Sequence, residues 1–165
     1  MIKAFRNATI EDLPQIVNIY NKAIEDGIST ADSVKVTADE KIDWFIAHDK
    51  EKRPILVKEY HGKVIAWVSL QPFYPHLAYE KSARINIYID SNFRGKKLGQ
   101  MFLREVLEMA DEYNIENFLA LIFADNITSL KLFKKLGFKE WGHFPNVAKI
   151  KETRKDLLVL GLSVR

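Results

Sequence analysis

The sequence predicts one α/β domain, spanning residues 1–165, built on a mixed and mostly antiparallel sheet. Three observations carry this. Strand and helix patterns follow in the order β-α-α-β-β-β-α-β-α-β-β, so several strands succeed each other with only short turns between them. The chain has 165 residues, the length of a single domain. Its hydrophobic fraction of 47% is that of an ordinary globular chain and supplies a core.

Composition removes several function classes. No apolar run approaches the ~18 residues that a membrane helix requires, and no long apolar segment follows a basic stub at the start. Neither a membrane partner nor a secretory signal is read. The absence of cysteine excludes disulfides, thiolate metal sites and a cysteine nucleophile, and it fits a cytoplasmic protein with no metal centre. The net charge of +3 is too mild for a nucleic-acid partner, and the basic residues form no single block.

The elements are read in chain order. Ile2 to Arg6 has strand character. Thr9 is an N-cap followed by Glu11 and Asp12 in the first turn, and Pro14 is early enough to be tolerated. Leu13, Ile16, Val17, Tyr20 and Ile24 recur at helical spacing, and Gly27 ends that helix. Residues 28–36 are polar and irregular. Thr37 and Glu40 make a capping box for a second helix with Ile42, Phe45 and Ile46 on its apolar side. Ile55 to Tyr60 is a strand, His61-Gly62 a hairpin turn, and Val64 to Leu70 a strand whose unbroken apolar run predicts burial on both faces. Ala83 to Asp90 alternates: Ile85, Ile87 and Ile89 share one face, and Arg84, Asn86 and Tyr88 the other. A helix begins near Leu98 and carries Phe102, Val106, Met109 or Ala110, and Tyr113 at core spacing. Phe118 to Phe123 is an apolar strand. After Asn126 comes a helix with Leu130, Phe133 and Leu136 inward and Gly137 as its left-handed cap. Lys139 to Arg165 reads as two strands.

The functional signal sits at Arg94-Gly95-Lys96-Lys97-Leu98-Gly99-Gln100, between the alternating strand and the helix after it. A helix start exposes unpaired N–H groups, and its dipole favours negative charge. Gly95 and Gly99 permit a positive φ or close backbone approach. Arg94, Lys96 and Lys97 add charge, so a phosphate or pyrophosphate is the natural ligand. A solvated surface turn is the bland alternative.

Arg94-x-x-Lys97-x-Gly99 resembles the pyrophosphate-binding turn of the GNAT superfamily of N-acetyltransferases, and the later run from Asn126 through Ser129 to Leu136-Gly137-Phe138 resembles that superfamily's second signature. Ile19-Tyr20-Asn21, Trp67-Val68-Ser69-Leu70, Pro72-Phe73 and Tyr79 are similar to the phosphinothricin acetyltransferase branch. The resemblance runs nearly the full length. It implies the GNAT fold, in which two central strands splay and acetyl-CoA lies in the resulting V. It implies cofactor contacts from Ile87, Tyr88 and Ile89 to the pantetheine and acetyl region. Residues 94–100 hold the pyrophosphate in that scheme, and Asn126, Ser129 and Phe133 line the pantetheine arm. Asn126 fits a helix N-cap as well. Phe73, Tyr74 and Tyr79 fall in an aromatic, proline-bearing loop that fits either a packed surface loop or a wall of the acceptor pocket.

Three departures from the family pattern shape the expected chemistry. Lys97 stands where the turn usually has its middle glycine. Arg84 stands where the branch usually has a glutamate taken as the base, and an arginine stays protonated. Phe133 stands where a tyrosine or histidine is common. Tyr88 is then the remaining catalytic candidate on the right face, with bulk water as the fallback. Arg84 fits a structural ion pair or, with Asn86, recognition of an anionic group on the acceptor. It lies about 13 Å back along the strand from Tyr88 at ~3.3 Å per residue. The expected activity is acetyl transfer from acetyl-CoA to the primary amine of a small, anionic, amino-acid-like molecule by direct attack, performed by a homodimer. Two alternatives stay open: a GNAT-fold module that binds acetyl-CoA without efficient catalysis, and transfer to a protein N-terminus or lysine.

Overall fold

The first strand is shorter than its pattern predicts, for an identifiable reason. In a computed structural model, which describes residues 1–95 and 97–165, β1 is Arg6–Asn7, and Ile2 makes only an isolated bridge to Tyr60. The Phe5 N–H donates to Glu105 Oε1 at 2.9 Å, and this removes a rung from the ladder to β2. Glu105 also pairs with Lys58, a buried lysine whose ammonium lies 4.5 Å from the Phe5 ring centroid.

The remaining elements follow the order read from the sequence. They are α1 (Leu13–Asp26), α2 (Ile42–Ile46), β2 (Ile55–Tyr60), β3 (Lys63–Pro72), β4 (Ser82–Ile89), α3 (Leu98–Glu108), β5 (Asn117–Phe123), α4 (Ile127–Lys135), β6 (Lys139–Ile150) and β7 (Thr153–Ser163). Local chemistry accounts for their ends. Thr37 and Glu40 form the expected capping box, Glu40 Oε2 accepting from Thr37 N at 2.8 Å and Thr37 Oγ1 from Glu40 N at 3.2 Å. The first turn behind it is 3-10 rather than α. His61 and Gly62 take φ of 48° and 73°, as a two-residue hairpin turn of the primed type requires.

The described residues form a sheet in the order β1-β2-β3-β4-β5-β7-β6. Every neighbouring pair is antiparallel except β4 and β5. The parity predicted for β4 holds. Ile85, Ile87 and Ile89 join the core under α3 and α4 with Phe102, Leu103 and Phe133, whereas Tyr88 joins the opposite cluster with α1, α2 and Trp67. Residues 64–70 are buried throughout, as expected for a strand covered on both faces. No described helix is long and apolar enough to cross a membrane.

One topological feature positions the site. The parallel pair β4–β5 registers only at Ser82↔Asn117, Ala83↔Phe118 and Arg84↔Leu119. Beyond Arg84 the two strands separate, although each keeps its antiparallel partner on its far side. Because they run parallel, both carboxyl ends lie at the open end of the gap, and there α3 and α4 begin.

Candidate active site

A cavity of about 970 Å³ fills the gap between β4 and β5 and continues under α1. Ile87, Tyr88 and Ile89 form one wall, and Ala120, Ile122 and Phe123 the other. In a strand, alternate N–H and C=O groups point to each side. Those of residues 85–89 not used by β3 therefore face the gap without a strand partner.

At the open end, Arg94, Gly95, Lys97, Gly99 and Gln100 line the cavity; Lys96 lies outside the described residues. Gly95 has φ 77°. Lys97 has φ 60°, so the lysine occupies the left-handed conformation that glycine adopts without penalty, at a strain of about 1 kcal/mol. Its exposed side chain forms no N-cap hydrogen bond, so among the described residues the first N–H groups of α3 have no capping side chain. Arg94 Nε donates to Ile89 O at 3.1 Å. Leu98 does not line the cavity; its side chain packs on the core beneath α3.

On α4, Asn126, Ser129 and Phe133 reach the cavity. Asn126 Oδ1 accepts from Ser129 N at 3.2 Å, so it is an N-cap and a lining residue at once. Phe133 is buried and sits edge-on to Phe138 at 4.9 Å, a core residue with one side on the cavity.

The polar face of β4 lines the α1 side. Tyr88 stacks on Trp67 at 4.7 Å and meets the Tyr20 ring edge-on at 5.2 Å. Burial pushes its phenol up to about 12, with nearby Asp32 and Asp26 adding to the rise and Thr30 and Arg84 opposing it. Asn86 Nδ2 donates to Ser69 Oγ at 3.3 Å. Arg84 faces the cavity with its Nε buried and unbonded, and among the described residues no carboxylate lies within ion-pair distance of it. The main-chain carbonyl of Glu80, a sequence neighbour, accepts from the Arg53 guanidinium.

The aromatic loop is not brought into the cavity wall. Phe73, Tyr74 and Tyr79 pack on each other, with Phe73–Tyr79 at 5.8 Å and Tyr74–Tyr79 at 5.5 Å, and both tyrosines stay exposed. Self-packing satisfies the rings without the cleft. Trp44, Lys41 and Thr30 take the wall positions instead. Lys41 Nζ lies 5.7 Å from the Tyr20 ring centroid. Sequence reading passed over these three because they sit on a short helix and an irregular loop whose approach to β4 has no local signature.

A family model described as an acetyltransferase (GNAT) domain matches residues 5–159. The chain belongs to the GNAT acetyltransferases. It is 44% identical over 157 residues to YwnH of Bacillus subtilis (strain 168), which carries the name of a phosphinothricin acetyltransferase, covering 94% of this chain and 96% of that one. It is 29% identical over 148 residues to an L-methionine sulfoximine/L-methionine sulfone acetyltransferase of Pseudomonas paraeruginosa, covering 89% and 86%. A crystal structure of ribosomal-protein-alanine N-acetyltransferase from Brucella melitensis superposes with a TM-score of 0.90 at 30% identity, covering 98% and 100%. The GNAT protein described here is an acetyltransferase and takes its acetyl group from acetyl-CoA. Its cleft suits that donor: unpaired peptide groups along β4 match an extended, amide-bearing arm, and an uncapped helix start flanked by Arg94 and Lys97 matches a pyrophosphate.

Proposed function

We propose that this chain is a cytoplasmic, single-domain N-acetyltransferase that acetylates the primary amine of a small, anionic, amino-acid-like acceptor by direct attack. The unpaired Arg84 carries this reading. A guanidinium that lines a cavity without a carboxylate partner is suited to hold a carboxylate or phosphonate in a two-point grip. The same charge repels polyamines. When bound, acetyl-CoA supplies the thioester that the amine attacks. Main-chain N–H groups of Ile87 and Ile89, on the gap side of β4, would orient and polarise its carbonyl, residues 94–100 would hold the phosphates, and Tyr88 would meet the amine's proton. The sulfoximine-named relative acts, by its name, on acceptors of this class.

Arg84→Gln is expected to raise KM for an amino-acid acceptor roughly 10- to 100-fold, the worth of a charge-assisted pair, and to leave KM for the corresponding amino-acid amide nearly unchanged. Equal losses on both substrates would refute the assignment. The Brucella likeness favours a second reading, transfer to a protein N-terminus. An alanine-headed peptide in the same substrate series distinguishes it, since its distant carboxylate cannot reach Arg84 and its rate would not respond to the substitution.

The active form proposed is a homodimer. Strand β6 is the outer strand of the sheet, and it exposes Trp141, Phe144 and Val147 at 49%, 48% and 56%. An edge of this length with exposed apolar side chains is normally covered. Val147 also lines the cavity, so a second copy over β6 would wall the site. Light scattering at micromolar concentration should give twice the chain mass; a monomer mass rules the dimer out.

A further inference from the structure

A buried lysine bridges the two halves of the molecule at the open end of the gap. Lys155 stands on β7, two residues before Leu157, which pairs with Phe123 at the end of β5. It is 8% exposed. Its ammonium donates to Gly27 O at 2.6 Å, pairs with Asp125 at 2.9 Å and lies 5.1 Å from the Phe123 ring centroid. Gly27 caps α1 and belongs to the half built on β1 to β4, whereas Asp125 follows β5. The bonds that link β4 to β5 directly lie at the other, closed end, at Lys81, Ser82 and Asn117. A buried ammonium costs desolvation that an apolar side chain of the same length would not. What it gains here is a hold on two separate elements at once.

Each end of this bridge is fastened to one side of the cavity. Gly27 opens the loop whose next residues, Ile28, Ser29, Thr30 and Ala31, line the cavity on the α1 side. That loop is a unit. Asp26 accepts from Ile28 N at 2.8 Å, Ser29 N at 3.0 Å and Ser29 Oγ at 2.6 Å. Thr30 Oγ1 lies 2.6 Å from Tyr20 Oη, and the Tyr20 ring stands edge-on to Tyr88. A displacement of Gly27 is therefore a displacement of the wall beside Tyr88. At the other end, Asp125 immediately precedes Asn126, the N-cap of α4 that lines the cavity. The turn holding both is tight, with Asn126 N donating to Phe123 O at 2.9 Å and Ile127 N to Asp125 O at 3.0 Å. Asp125 and Asn126 thus move together.

We propose that Lys155 is a positioning residue that couples the donor side of the cavity to the acceptor side. A donor seated against Asn126 steadies Asp125, Asp125 steadies the ammonium, and the ammonium holds the loop of residues 27–31 at the wall where the acceptor binds. Coupling of this kind is reciprocal, so a loop held in place favours the donor by the same factor. The acceptor half of the proposal rests on the reading that puts the acceptor beside Tyr88; the donor half does not.

Amide hydrogen exchange and calorimetry with acetyl-CoA test it. In the wild type, saturating acetyl-CoA should slow exchange of the Ile28 and Ser29 N–H groups roughly 10-fold, the worth of one hydrogen bond to a charged group. Lys155→Met keeps the volume against Phe123 and removes both bonds, and the half-exposed Asp125 stays hydrated. In this variant the slowing should be absent, and acetyl-CoA should bind more weakly by the same factor. Lys155→Arg keeps a charged donor and should recover both effects. Asp125→Asn loosens only the donor end; it should lose most of the slowing while its melting curve stays close to that of the wild type, and it decides the matter if Lys155→Met does not fold. In steady-state kinetics, Lys155→Met should also raise KM for the amino-acid acceptor roughly 10-fold. Slowing that persists in Lys155→Met and Asp125→Asn, as direct shielding of the loop by the donor would give, overturns the coupling, and so does a wild type without slowing. Exchange and calorimetry use no acceptor. A wild type that shows both effects and acetylates no small amine would therefore keep the coupling and overturn the acceptor reading alone.

Discussion

Gly99→Val is expected to weaken acetyl-CoA binding by roughly 100-fold or more, a loss of about 3 kcal/mol. Gly99 lies in the first turn of α3 and on the cavity. A Cβ added there would stand 3.3 Å from Ile89 Cδ1 and 3.5 Å from Leu132 Cδ2, so it points into the seam between the end of β4 and α4. The two further methyls of valine would overfill this seam on the cavity side of the helix start, where a phosphate would approach the backbone. Overpacking alone would cost stability on the order of 1–3 kcal/mol, so a melting curve accompanies the calorimetry. Unchanged affinity in a folded variant would remove residues 94–100 from the cofactor site. Gly99→Ala should fall between, since Ile89 need yield only a few tenths of an ångström.

Tyr88→Phe is expected to lower kcat on the order of 10²- to 10³-fold and to leave acetyl-CoA affinity nearly intact. The phenyl ring keeps its stacking on Trp67 and its edge contact with Tyr20, so what is lost is the hydroxyl. The sign of the pH dependence follows from burial. Burial disfavours the charged phenolate, so the pKa moves up, to about 12, and the proton stays on through any ordinary assay range. The wild-type rate should therefore show no limb from this group near pH 10, the usual tyrosine value. A limb there that vanishes in Tyr88→Phe would mean the phenol is solvated and differently placed. Full activity in Tyr88→Phe would end its catalytic role.

The parts of this site that could be read in advance are those encoded by neighbours in the chain. Period-two alternation placed Arg84, Asn86 and Tyr88 on one face of β4 because side-chain direction in a strand depends on parity alone. The glycine-bearing turn and Asn126 were visible because helix starts use local chemistry. Other features depend on residues far apart in sequence. The Phe5 N–H loses its strand partner to Glu105, one hundred residues away. Thr30 and Asp32 belong to an irregular loop whose place is set by Lys155 and Asn21. Phe73, Tyr74 and Tyr79 fit either a packed surface loop or a pocket wall from sequence, and in the structure the three rings contact one another at the surface. Lys97 shows a further limit: residue type argues against a left-handed φ there, and the turn imposes it.

The three registered positions between β4 and β5 have a thermodynamic consequence. Strands β1 to β4 are consecutive in the chain, with α1 and α2 between β1 and β2, and β5 to β7 are consecutive as well, with α4 between β5 and β6. Among the described residues the main-chain ladder registers the two groups at Ser82, Ala83 and Arg84, just after Lys81 O, which accepts from the Glu116 and Asn117 N–H groups; beyond Arg84 side chains of the shared core hold them. The molecule therefore contains a line along which it can open locally at less than the cost of global unfolding. A ligand lying in the gap supplies main-chain partners that neither strand gives the other, and so closes that line. At one hundred times its dissociation constant such a ligand adds about 2.7 kcal/mol, and this increment falls on the seam, where the free chain has least. An acetyl donor seated in the gap would thereby complete the cooperativity of the sheet.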